Sequence, residues 1–192
     1  MNKLLLPLVF LCASLTCSGQ TPSVADVIAG QQLLPEQLEQ MQQGAEQGDP
    51  IVSYALAEMY ARGYGVAQDN AKAIKWWRMA AEQGYADAQY KLGSIYYSGN
   101  CVPKDVTEAV KWHCKAANQG NVEAQYTLGL LYFTGQGVPT DCVLSYMWFN
   151  LSAAQGNETA QGNLGLISEE MTKEQIAEAQ KLSREWLAKR SK

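Results

Sequence analysis

The sequence predicts an all-α fold made of stacked helical hairpins, and three observations predict it. Residue types recur at a fixed period of 36; apolar positions within each period follow helical spacing; and each period is punctuated by Asp or Asn at helix starts and Gly at helix ends. Gln-Gly recurs at Gly48, Gly84, Gly120 and Gly156. In the same register stand Tyr54, Tyr90 and Tyr126; Leu56, Leu92, Leu128 and Leu164; Gly63, Gly99 and Gly135; Asp69, Asp105 and Asp141; and Trp76, Trp112 and Trp148. Of 192 residues, 47% are hydrophobic and 18% charged, enough apolar material for a packed core. Lys plus Arg is 15 against 19 Asp plus Glu, a net charge of −4 with no basic run, which speaks against binding nucleic acid through its phosphates.

Residues 1–19 read as a secretory signal peptide: a basic start at Lys3, an apolar run over 4–15 too short to span a bilayer, then small residues through Ser18 and Gly19. Cys17 is the alternative, as a lipid anchor, although Thr16 and Ser14 fit a lipobox poorly. No later segment is long and apolar enough to span a membrane. An acidic product in the periplasm or outside the cell is therefore expected.

Residues 20–47 hold an N-terminal segment and a capping helix from Pro35 to Gln47. That helix keeps the register, with Leu38 under Ile74 and Ala45 under Ala81, but carries Gln40 where the later copies have Trp. Three units follow at 48–83, 84–119 and 120–155. In the first helix of the third, Ala124, Leu128, Leu131 and Tyr132 line one face. Asp49 with Pro50, and Asn121, supply helix starts, and Gly63, Gly99 or Gly135 the stop. The second helix opens on the repeated Asp, with Asp105 and Glu108 spaced as a capping box, and runs through Ala109, Trp112 and Ala116. The small residue at Ala57, Gly93, Gly129 and Gly165 is expected to admit a neighbouring helix against the repeated Trp. A lone hairpin cannot bury both faces, so the units must stack. Residues 156–171 form a partial repeat, and 172–192 a C-terminal capping helix opened by Thr172 and Gln175 and carrying Ile176, Ala179, Leu182, Trp186 and Leu187.

Chemistry-bearing residues are sparse. His113, the single histidine, stands where Trp77 and Phe149 stand, and no ligand or acid–base partner lies one helical turn away, so it reads as a packed ring. No nucleophile or metalloprotease motif is present. The Gly-x-Gly pairs at 63–65 and 135–137 read as turns, because an aspartate at the next helix start would repel a phosphate. No metal site, cofactor or catalytic residue is expected. Beyond the leader the cysteines are Cys101, Cys114 and Cys142, an odd number that implies a leftover thiol or an intermolecular bond. If one bridge forms, Cys101 to Cys142 is the favoured pair, since both lie at the loop edge of adjacent units.

The third copy, Ala124-Gln-Tyr126-Thr-Leu128-Gly129, Tyr132, Gly135-Gln-Gly137-Val138, Asp141, Trp148, Ala153-Ala154-Gln-Gly156, resembles the Sel1-like repeat family, relatives of tetratricopeptide repeats. The resemblance covers about residues 45 to 170. Departures are Cys101 where other copies have Gly65 and Gly137, Ser145 in place of Ala, and Gly162 in place of Tyr. The family implies a right-handed α-α superhelix whose first helices line the concave side. Positions that vary between copies on those helices are then expected to face a groove: Ile51, Ala55, Glu58 and Arg62; Asp87, Lys91, Ser94 and Ser98; Glu123, Thr127, Leu130 and Thr134, with Tyr97 and Phe133 beside them as aromatic anchors. The resemblance implies a non-enzymatic scaffold that binds a protein or peptide. Two alternatives are weak β-lactam or cell-wall-precursor binding or hydrolysis, as in cysteine-rich relatives whose regular cysteine pairs are missing here, and polysaccharide binding through aromatics.

Overall fold

Helix follows helix throughout the computed structural model, which describes residues 34–190; the expected leader and Cys17 lie outside them. The described helices are α1 (Pro35–Glu46), α2 (Pro50–Arg62), α3 (Asn70–Glu82), α4 (Ala86–Ser98), α5 (Val106–Asn118), α6 (Val122–Thr134), α7 (Cys142–Ala153), α8 (Glu158–Glu169) and α9 (Lys173–Arg190). Together they form an all-α repeat solenoid in which each helix from α1 to α8 packs on the next, while α9 packs on α7.

The punctuation works as the residue chemistry requires. Asp49 accepts hydrogen bonds from the Ile51 and Val52 amides, while Asp69, Asp105 and Asp141 each accept one from the residue three positions on. Each carboxylate thereby satisfies an amide that the first turn leaves without a partner. Of the two expected capping boxes only one closes. The Thr172 amide donates to Gln175 Oε1 (2.8 Å) and the Gln175 amide to Thr172 Oγ1 (3.2 Å), whereas the Glu108 carboxylate accepts from Lys111 Nζ (2.9 Å) instead of reaching back. First helices end at Gly63, Gly99 and Gly135 with φ of 71°, 75° and 72°, a conformation that glycine adopts without strain.

The rings divide the packing between them, and here the sequence expectation needs correcting. The residue that presses on the small position is the one after the repeated Trp. A Cβ added to Gly93 would stand 2.7 Å from His113 Cε1, and one added to Gly129 would stand 2.5 Å from Phe149 Cδ1. The ring at position 77, 113 or 149 thus closes its own hairpin, and Tyr90 and Tyr126 lean on it with centroid distances of 5.5 and 5.8 Å. The repeated Trp instead joins neighbouring units: Trp112 is buried among Ala80 and Ala81 of α3 and Ala88 and Leu92 of α4. Trp148 packs in the same way with Ala116, Ala117, Ala124 and Leu128. Gly129→Ala is accordingly expected to destabilise the fold by roughly 1–3 kcal/mol through overpacking, read from the urea midpoint. The same change in a Phe149→Leu background should cost less.

A polar seam accompanies the rings. Gln89 and Gln125, both buried, donate to the Ala81 and Ala117 carbonyls of the preceding unit and accept from Gln119 and Gln155 of their own (2.7 and 2.8 Å). The final helix does not complete the partial repeat. It crosses α7, with Ser183 Oγ 3.5 Å from the Met147 carbonyl and Trp186 edge-on to Trp148, and reaches the Gln119 carbonyl through Arg190 at 2.7 Å.

Candidate functional site

The predicted stripe runs along α2, α4 and α6, and its residues divide by what their side chains do. Glu58, Arg62 and Lys91 come together across units one and two. Arg62 donates to Glu58 Oε2 at 3.0 Å, Lys91 Nζ stands 3.8 Å from Glu58 Oε1, and the same ammonium lies 6.0 Å from the centre of the Trp77 ring. Glu58 Oε1 is buried and has no hydrogen-bond partner, so Lys91 at 3.8 Å faces this oxygen while Arg62 pairs with the other. Asn121 donates to Asp87 at 2.8 Å and Tyr97 to Gln136 at 2.7 Å, tying unit two to unit three along the stripe. Lys104 sits over the Tyr97 ring at 5.4 Å.

The remaining predicted positions behave differently. Ser94 and Thr127 turn their hydroxyls back to the Tyr90 and Glu123 carbonyls, the local bonding typical of such residues inside helices. Leu130 is half-buried, packing against the cluster of Phe149, Ala160 and Leu164. Phe133 is 40% exposed and remains available.

Sequence reasoning missed Tyr54 and Tyr85, whose rings pair at 5.1 Å beside Glu58 and Asp87. Burial first, then the two nearby carboxylates, push the Tyr54 hydroxyl up to about 12, and burial with Asp87 raises Tyr85. Both phenols stay protonated and available as donors. The 36-residue recurrence of Tyr54 was legible, but Tyr85 has no counterpart in the other copies.

Cys101 and Cys142 do not meet. Cys101 is exposed on its loop, with φ of 63° at the place Gly65 and Gly137 occupy, whereas Cys142 packs with Ile167, Met171 and Ala179 on the C-terminal side. The two thiols face different neighbours, and Cys114 is also free, its thiol raised by burial in the unit-three core. His113 is buried between helices, its Nδ1 without a partner and its pKa driven down to about 4 by desolvation. It packs as a ring against Gly93 and Tyr90. Among the described residues no group of three or more His, Cys, Asp or Glu stands close enough to hold a metal, and no helix is long and apolar enough to cross a membrane.

Comparison with known proteins identifies what this architecture is similar to. The Sel1 repeat model matches residues 51–85, 86–121 and 122–157. A crystal structure of a Sel1 repeat protein from Oxalobacter formigenes is 41% identical, with a TM-score of 0.64 over 67% of this chain and 96% of that one. The protein c5321, a protective antigen present in uropathogenic Escherichia coli strains and displaying an SLR fold, is 39% identical with a TM-score of 0.66. The match takes in 79% of this chain but 32% of that protein. Helicobacter pylori cysteine rich protein B shares the fold at 21% identity and a TM-score of 0.53, over 67% of this chain and 92% of its own length. No curated protein sequence matches the chain.

Proposed function

The chain belongs to the Sel1 repeat family, whose members generally mediate contacts between proteins, and from that premise we propose that it is an exported, non-enzymatic scaffold holding a peptide segment or protein surface against the stripe of its first helices. The observation that carries this reading is the chain of ties along the stripe, Glu58 to Lys91, Asp87 to Asn121 and Tyr97 to Gln136. Such ties hold the side chains in place before a partner arrives, which lowers the ordering cost of association. Tyr97 and Phe133 supply the aromatic anchors that dominate interface energetics, and Tyr54 with Tyr85 extends them to the first unit. Export rests on the leader pattern of residues 1–19, which places the protein in the periplasm or outside the cell; retention of Cys17 as a lipid anchor is the alternative.

The test changes Lys91 to Glu and Tyr97 to Ala together and compares capture from the envelope fraction of the source cells with that of the unchanged protein. A specific partner should be lost while the far-ultraviolet circular dichroism stays the same. Equal capture by both proteins at equal helicity would refute binding along the stripe.

A further inference from the structure

The partial repeat leaves a built contact face without its partner. In the second and third units the first helix presents a Tyr and a Gly, three residues apart, to the ring of its own second helix: Tyr90 and Gly93 to His113, Tyr126 and Gly129 to Phe149. On α8 the same two positions are Gly162 and Gly165, and a Cβ added to either would meet nothing within 4 Å. Among the described residues none supplies a ring to this place. Counting from the cap Thr172 as Phe149 is counted from Asp141, the last helix brings Gln180, and that helix crosses α7 instead.

The open face is continuous and has a definite chemistry. Glu158, Gly162, Gly165, Leu166 and Glu169 recur at helical spacing on the side opposite Ala160, Leu164 and Ile167, which are buried. Leu166 is 66% exposed, the most open of the large apolar side chains among the described residues. Two glycines inside a helix weaken it relative to alanine, and no contact among the described residues requires them. They keep clear a space that in the preceding units a ring fills, and a glutamate closes each end of it.

We propose that this face of α8 docks an amphipathic helix from a partner protein, one that inserts an aromatic ring over Gly162 and Gly165 and carries Lys or Arg toward both ends. The docked helix takes the place of the second helix that unit four lacks, continuing the stacking already made by α5 on α4 and α7 on α6. A second copy of this chain is a poor occupant. Its one helix in second-helix register at an open end, α1, brings Gln40 and Met41 to the ring positions and adds Glu36, Glu39 and Glu46 to a face that is already acidic.

The experiment titrates the full chain into a fluorescent peptide of residues 141–155, the ring-bearing second helix of unit three, extended by two lysines at each end. Saturable binding is expected, weaker at higher salt, and weakened at least about tenfold by Phe149→Ala in the peptide or by Gly165→Leu or Leu166→Asp in the protein. Because Gly165 and Leu166 are exposed, neither protein variant should melt below the parent, with Gly165→Leu raising the melting temperature as a better helix former, and Lys91→Glu, on the stripe, should leave the affinity unchanged. Absence of saturable binding, equal affinity for all variants, or loss of binding on Lys91→Glu would each overturn the proposal. So would self-association of the chain that Gly165→Leu abolishes, which would assign the face to a second copy.

Discussion

Replacing Trp112 with alanine is expected to lower the unfolding free energy by ~3–5 kcal/mol, since the ring is 8% exposed and fills the junction between two units. The loss falls on two contacts at once. Ala80 and Ala81 belong to α3 and Ala88 and Leu92 to α4, so the vacated space separates the preceding unit from the next while also loosening the second hairpin. Four small or short neighbours cannot swell to fill it. In a nearest-neighbour array that loss is a large share of the total, because each unit is held chiefly by its interfaces. Trp112→Phe should cost clearly less: the indole Nε1 has no hydrogen-bond partner to lose, and a ring remains beneath Lys115, which lies 3.9 Å from the indole centre. Denaturant titration of the two variants checks the ordering. A Trp112→Ala chain as stable as its parent would mean that the ring does not hold the units together.

Acid should selectively weaken unit two through His113. The folded chain holds this ring neutral, with its pKa lowered to about 4, against about 6.5 in the unfolded chain. Between these values the unfolded state binds the proton that the folded state refuses, so stability is fully present above pH 6.5 and declines as pH falls toward 4. The interval corresponds to about 3 kcal/mol. Desolvation alone drives the shift: the ring packs on Gly93 and Tyr90, and its Nδ1 has no hydrogen-bond partner. His113→Phe should fold well, given that Phe149 fills the same position against Gly129, and it should remove this part of the acid sensitivity. The measurement is the stability difference between the two proteins at pH 7 and pH 4.5. A constant difference across that range would show that His113 is protonated as readily folded as unfolded.

Much of the stripe was legible because a 36-residue period separates what repeats from what varies, and Glu58, Arg62, Lys91, Tyr97 and Phe133 varied. Period alone could not show that Ser94 and Thr127 spend their hydroxyls on their own helix, or that Leu130 packs half-buried against the cluster of Phe149, Ala160 and Leu164. It also could not distinguish the two ring positions. Adjacent residues on a helix are about 100° apart, so Trp112 and His113 point to different neighbours, and only the arrangement of the helices decides which ring meets the glycine. Sharing the loop edge likewise does not bring Cys101 and Cys142 together: both thiols are free, Cys101 exposed and Cys142 packed against Ile167, Met171 and Ala179.

The sequence by itself determined the helices, their caps, their number per unit and the need to stack, because these follow from local hydrogen bonding and from the spacing of apolar residues. Tertiary structure alone decided which rings close a hairpin and which join units, how charged residues are tied across the stripe, and that the last helix turns back over α7. That turn is a matter of packing. The final helix brings a glutamine where its predecessors bring a ring, lays Trp186 on Trp148 instead, and leaves α8 open.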